Sequence, residues 1–464
     1  MSEILALADD SNPTFELPPT PEVKESLWHN RSFLRLWTSE TISQFGSQFT
    51  GLALPLTAVI ILGATVLQLS ILNFVGSVSW LLFGLGVGVW VDRHRKRRIM
   101  VTSNIFRGSL LALIPIAAVL GLIANLGIFF LYVIGFFVGF LQVFYDITYQ
   151  AFLPSLVRRD QLVEGNSRLQ ASASTAQVAG PTLAGIVIGI ITAPIAIAID
   201  ACSFFASAFS LSRIRTEEDL ALEKMLRVPG PGERSFWIDL KEGLGVVLRD
   251  ARLRMIAGCT GTSNFFSTAF QTILPLYFLL RAPDGLGVST SLIAVTLGII
   301  FSVGSIGAIV GVVIATRTAE KIGVGPAIIA SALIFGLGGV PYYLSGSLVT
   351  NPLFSVAGLN INWNIIAIMA GQFVISIGVV VYNINQVSLR QALVPIRLQG
   401  RMNATMRFLV WGTIPLGALA GGLLGTFLGL RTAVGIMILG VSLSFVWVLL
   451  SPVRSLKEIP ESME

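Results

Sequence analysis

The feature that most constrains this chain is a succession of apolar runs, each long enough for a bilayer-crossing helix, separated by short polar turns. Hydrocarbon about 30 Å thick needs about 20 residues at a 1.5 Å rise. Runs near 33–62, 67–91, 99–122, 126–149, 171–192, 195–211, 255–280, 289–316, 325–346, 363–386, 407–430 and 432–451 predict about twelve spans. Lipid offers the backbone no partners, so each span closes its own hydrogen bonds as a helix. Charged residues make up 12% of the 464, about half the share usual in soluble domains. The 46 glycines suit helices that approach closely in lipid. An all-α polytopic membrane protein is expected.

The turn after the second run reads GVWVDRHRKRR, Gly88 to Arg98. Arg93, Arg95, Lys96, Arg97 and Arg98 cannot lie in hydrocarbon, and the positive-inside rule puts them in the cytoplasm. Counting crossings from there, only Arg281 and Arg431 of the 31 Lys and Arg fall in outer loops. Arg107 lies inside a span. Both termini are therefore expected inside the cell (inner) membrane. Residues 1–32 are Pro-rich and aperiodic and predict a disordered cytoplasmic tail with no cleavable signal. Residues 33–211 form a first bundle and 255–451 a second, with a cytoplasmic tail at 452–464. Between the bundles, 212–254 is charged and ends in a pattern that places Phe236, Trp237, Leu240, Leu244, Val247 and Leu248 on one face. That predicts an interfacial helix.

The halves echo each other. QAFLPSLVRRDQLVEGN, ending at Asn166, resembles QALVPIRLQGRMN, ending at Asn403, and Gly180 and Gly185 then align without gaps with Gly417 and Gly422. A duplicated six-span unit, with an axis along the membrane normal, places a substrate between its halves near the midplane.

These motifs resemble the major facilitator superfamily, and within it the drug:proton antiporter branch that includes macrolide-efflux proteins and the enterobactin exporter. The resemblance spans Asn30 to Pro452. It is carried by Gly88, Asp92, Arg93, Lys96 and Arg97, which match the family's GxxxDRxGRR loop, with Arg95 where the family has Gly. Gly180, Pro181 and Gly185 match the antiporter motif of span five, while Ala176 and Ala184 replace two of its glycines. In the second half Gly311 is kept, but Ala315 stands where an acid would be, and span four lacks an Arg. The resemblance implies a two-bundle fold, alternating access and export driven by the proton gradient. It also implies that Asp92 gates the inner face against a helix N-terminus, where a carboxylate gains about 0.3–1 kcal/mol.

Intramembrane charges are the other candidates. Arg107 and Asp146 both lie roughly 12–14 Å from the inner surface at 1.5 Å per residue. An unpaired charge there costs about 2.5–3.5 kcal/mol, so an ion pair is expected, structural or moving. Asp200 and Glu40 have no local base, and such carboxyls can exchange protons or serve as neutral structural acids. Gln44, Gln48, Tyr145, Tyr149, Asn264, Gln271, Tyr277 and Tyr382 are candidates to line a substrate cavity.

The leading expectation is a monomeric secondary transporter that exports amphipathic small molecules in exchange for protons. Export of an endogenous product such as a siderophore is the alternative. A membrane enzyme would need clustered catalytic or metal-binding groups, and the two histidines, His29 and His94, both fall in cytoplasmic segments. No metal site, cofactor or nucleic-acid partner is expected. A GxxxxGK[ST] phosphate loop is missing from the sequence, which excludes a P-loop pump.

Overall fold

The computed structural model describes residues 27–92, 94–157, 161–214, 244–281, 292–345, 352–356 and 359–458. The first half folds as α1 (Arg31–Ile60), α2 (Val66–Asp92), α3 (Lys96–Val119), α4 (Ile123–Leu156), α5 (Leu162–Ile191) and α6 (Ala193–Ser212). The second begins with α7 (Ala251–Arg281), α8 (Ile293–Ile322), α9 (Val324–Leu337) and the short α10 (Val340–Leu344). A small hairpin follows, β1 (Phe354–Val356) antiparallel to β2 (Leu359–Ile361). The second half closes with α11 (Trp363–Leu393), α12 (Ile396–Trp411), α13 (Thr413–Leu428), α14 (Leu430–Leu443) and α15 (Phe445–Leu449).

Among the described residues, ten helical units are long and apolar enough to cross a membrane. Helices α1 and α7 have the length but fall short in apolar content. Both carry Ser, Thr and Gln through their middles, and α7 also Asn264, because they face the interior, where polar groups find partners that lipid cannot supply. The protein is thus an all-helical polytopic membrane protein.

Two glycine pairs give the duplication a physical form. On α5, a methyl at Gly180 would strike Gln48 of α1, and one at Gly185 would fall on the Ala294 carbonyl of α8. On α13, a methyl at Gly417 would strike the Phe265 carbonyl of α7, and one at Gly422 would strike Ser70 of α2. Each of α5 and α13 therefore uses one glycine to pack within its own half and one, five residues on, to cross to the other. The aligned glycines occupy equivalent places.

The closest backbone approaches between the halves lie from the middle of the bundle to the end opposite the basic turn. There Val66 and Ser70 of α2 meet Gly425 and Gly422. Midway, Trp80 sits edge-on to Trp411 with centroids 5.0 Å apart. Towards the basic end, Arg407 of α12 donates to Gln150 Oε1 of α4 at 2.7 Å.

The chain is ordered beyond the predicted spans. The segment 1–32 is not all tail: Leu27 is fully buried against Phe33, Phe152 and Leu153. Asn30 caps α1 by accepting from the Ser32 and Phe33 amides and donates to Leu156 O at 2.9 Å. At the other terminus, Leu456 and Lys457 carbonyls accept from Gly325 N (2.9 Å) and Val324 N (3.2 Å), so the segment after 451 docks on α9. Helices α4, α5, α11 and α12 run several turns past their apolar runs at the basic end. Hydropathy marks the edge of hydrocarbon, whereas backbone hydrogen bonding continues into water. Of the predicted interfacial helix, residues 244–249 are helical, and Val247 is buried against Leu253 and Val394. That part packs on the bundle. Phe236, Trp237 and Leu240 lie outside the described residues.

Candidate functional site

Helices α1, α3, α4 and α6 each bring one ionisable side chain into the first half: Glu40, Arg107, Asp146 and Asp200. Glu40, Arg107 and Asp200 are buried, and Asp146 is partly so. Glu40 accepts from Gln44 Nε2 at 2.7 Å, one turn along α1, and from Tyr145 OH at 2.9 Å. Asp200 Oδ1 accepts from Ser203 Oγ at 3.1 Å. It fits only because residue 46 is glycine, where a methyl would lie 2.7 Å from the same oxygen. Arg107 packs its guanidinium on Phe204, 3.9 Å from the ring centroid, and reaches Asn104 Oδ1 at 3.4 Å. Asn104 in turn donates to Ser207 Oγ at 2.8 Å. Asp146, Asp200 and Glu40 all lie within electrostatic reach of Arg107.

Two expectations need correcting here. Arg107 and Asp146 form no direct ion pair: Asp146 turns to Gln142 of its own helix at 2.7 Å, and Phe204 holds the guanidinium. Nor do Glu40 and Asp200 lack partners. Both are hydrogen-bonded, and both share Arg107 as the nearby base. Helical spacing along one span cannot show this, because the four groups meet only when four helices are packed.

The second half holds a cavity of about 550 Å³. Helix α7 contributes Thr260, Asn264, Phe270 and Gln271. Phe301 and Ser305 come from α8, Phe335 from α9, Gln372, Ser376, Tyr382 and Asn383 from α11, and Met437 from α14. Gln177 and Pro181 of α5 close one wall from the other half. Proline explains the contact here. Pro181 has no N–H, so the carbonyl four residues earlier, Gln177 O, loses its helical donor. Ser305 of α8 supplies one at 3.2 Å across the halves, sharing its proton with Phe301 O of its own helix at 3.0 Å. Thr182 Oγ1 adds a contact to Gly298 O at 3.4 Å.

With this geometry in view, comparison decides the family. The sequence profile of the Major Facilitator Superfamily matches residues 36–362. The chain belongs to the major facilitator superfamily. Solved transporters share its fold. A bacterial homologue of the iron transporter ferroportin, inward-facing, aligns over 92% of this chain and 99% of its own, with a TM-score of 0.66 and 15% identity. The nucleoside transporter NupG aligns over 91% and 98%, with 0.65 and 10%. A bacterial homologue of the human lysosomal transporter Spinster, inward-facing and unoccupied, aligns over 90% and 96%, with 0.61 and 13%. No curated protein sequence matches the chain.

In this superfamily member the sequence-derived candidates separate by place. Asn264, Gln271 and Tyr382 line the cavity. Gln44 and Tyr145 belong to the Glu40 cluster, with Tyr149 stacked 6.4 Å from Tyr145, and Gln48 packs beneath Gly180. Tyr277 is a correction. It is buried away from the cavity and donates to Tyr342 O at 2.8 Å, so it braces α10. At the basic turn Lys96 opens α3, and Arg97 donates to Ile214 O at 2.6 Å, tying the turn to the end of α6. Arg93 and the side chains of Gly88 and Asp92 lie outside the described residues. Sequence reading missed Gln177, Gln372, Asn383 and Arg407. Gln372 and Asn383 are amides inside an apolar run, a signal as plain as that of Gln271. Arg407 stands at the very start of the 407–430 run, and the helical turns before it are too polar to read as a span.

Proposed function

We propose that this transporter exports amphipathic small molecules in exchange for protons, with the buried carboxyls of the first half carrying the proton. One observation supports this most: three carboxyls, Glu40, Asp146 and Asp200, surround a single buried cation, Arg107. One guanidinium balances one carboxylate. A second cation, Arg407, acts on Asp146 from the other half, so three carboxyls face two guanidiniums and at least one lacks a counter-charge. In a water-poor interior such a group is suited to exchange protons. The cavity lies mainly in the second half, with Gln177 and Pro181 of the first closing one wall, so substrate and proton would occupy different places, linked by rocking about the α5–α8 and α2–α13 contacts. With the basic turn in the cytoplasm, the tightly packed end faces outward. Asp92 would steady the opposite, outward-open state from the α2 terminus.

The siderophore alternative gains less from this geometry. An anionic chelator would meet no cationic side chain among the described residues of the cavity wall. Among the described residues no three His, Cys, Asp or Glu side chains converge to hold a metal. A neutral endogenous product fits as well as a foreign compound does.

The test is secretion and accumulation profiling in deletion and overexpression strains, with and without a protonophore. Overexpression should lower the cell-associated level of at least one amphipathic compound, and the protonophore should abolish the difference. A profile unchanged by expression, or one indifferent to the protonophore, contradicts the proposal. Asp92→Asn should insert normally yet lower export; full export by a well-expressed variant removes the gating role.

A further inference from the structure

Among the described residues, the cavity wall carries no Asp, Glu, Lys, Arg or His. Its polar groups are amides and hydroxyls, and several have hydrogen-bonding capacity to spare. The Gln271 and Gln177 side chains are exposed, line the space and make no hydrogen bond to other described residues. Gln372 is oriented: Tyr342 OH donates to its Oε1 at 2.7 Å, which turns the amide N–H groups outward. Gly304 leaves room for them, since a methyl there would lie 3.0 Å from Gln372 Nε2 and 2.9 Å from Ser376 Oγ. Phe270, Phe301, Phe335 and Tyr382 supply flat apolar walls.

Resting on the transport reading above, we infer that this cavity is the substrate site and selects uncharged molecules that carry hydroxyl or amide groups on a ring-bearing apolar body. Fixed polar groups among apolar walls give orientation and specificity, and a volume of this order suits drug-sized ligands. A carboxylate or ammonium entering the cavity would exchange water for neutral dipoles, with no counter-ion to offset its desolvation. Arg390, the nearest cation along α11, lies beyond Tyr382 towards the basic end and is not part of the lining. Gln177 gives selection a mechanical sense. A ligand bonded to both Gln177 of α5 and Gln271 of α7 bridges the two halves and senses their rocking.

The test uses purified full-length protein in lipid nanodiscs and one scaffold in three charge forms: para-nitrophenyl β-glucoside (neutral), its glucuronide (carboxylate) and its glucosaminide (ammonium). The glucoside should bind at least about tenfold tighter than either charged form. Gln271→Leu should weaken it about threefold to tenfold, the size of one hydrogen bond. Gln271→Lys should reverse the order in favour of the glucuronide; if that variant does not fold, Gln372→Leu should reproduce the weakening. Tightest binding of a charged form by the wild type, or binding of none, overturns the inference. A counterflow assay in vesicles under a pH gradient separates this from the transport reading. Binding of the glucoside without coupled movement keeps the site and refutes proton exchange. Coupled movement of a charged form alone does the reverse.

Discussion

At the scale of single residues, the chemistry concentrates on how three carboxyls share one guanidinium. Asp200 is buried, held by Ser203 and accommodated by Gly46. Asn at this position keeps the shape and the hydrogen bond from Ser203 but cannot bind or release a proton. Asp200→Asn should therefore fold and retain ligand binding while losing proton-driven accumulation in vesicles; coupled transport that survives would remove Asp200 from the pathway. Tyr145 plays a different part, since its hydroxyl is one of two donors to Glu40. Tyr145→Phe leaves a buried acceptor short of one partner and should lower stability by about 1–3 kcal/mol. Thermal unfolding in detergent measures this, and an unchanged midpoint would show that water or Arg107 replaces the bond. Each of these residues stood out in the sequence as a polar group in an apolar run. Their convergence did not, because it depends on the rotation of α1, α3, α4 and α6 about their own axes. One residue apart along a helix is about 100° around it, too fine for a sequence pattern to place across four spans.

At the scale of elements, α5 is the pivotal helix. Its Gly180 seats it on α1, its Gly185 lets it touch the α8 backbone, and Pro181 frees the carbonyl that Ser305 takes up. Pro181→Ala restores the helical donor to Gln177 O and so competes with the cross-half bond. Both Pro181→Ala and Ser305→Ala should shift the equilibrium away from the state described here. Because they act on one bond, their combined effect on accessibility of the closed end to a thiol probe should be less than additive. Additive effects would mean that the proline acts on its own helix alone. The repeat was legible in the sequence through Gly180, Gly185, Gly417 and Gly422, since close backbone approach tolerates only glycine at such points. The ends of the helices were not legible. Residues 150–156 of α4 and 396–406 of α12 continue as helix past the predicted runs, where Phe152, Leu153, Met402 and Met406 pack into the protein and not into hydrocarbon. Arg407 and its bond to Gln150 sit at that boundary.

At the scale of the whole molecule, the buried carboxyls lie in one lobe, a cavity whose described lining is uncharged lies mainly in the other, and the lobes meet through small residues at one end. Such an arrangement couples the sites only if protonation in the first lobe alters how the lobes sit together. A ligand need not be known to test that. Spin labels at Ile190→Cys on α5 and Phe427→Cys on α13, both exposed at the closed end, report the separation of the halves, with the exposed Cys202 replaced. Distances would be measured by pulsed electron resonance in nanodiscs between about pH 8 and about pH 5, the range into which burial moves carboxyl protonation from its ordinary value of about 4. The account predicts that the distance distribution changes with pH in the wild type and that Asp200→Asn flattens this response. A distribution that stays the same across the range in the wild type, in protein that still binds ligand, would contradict the claim that the buried carboxyls drive the halves.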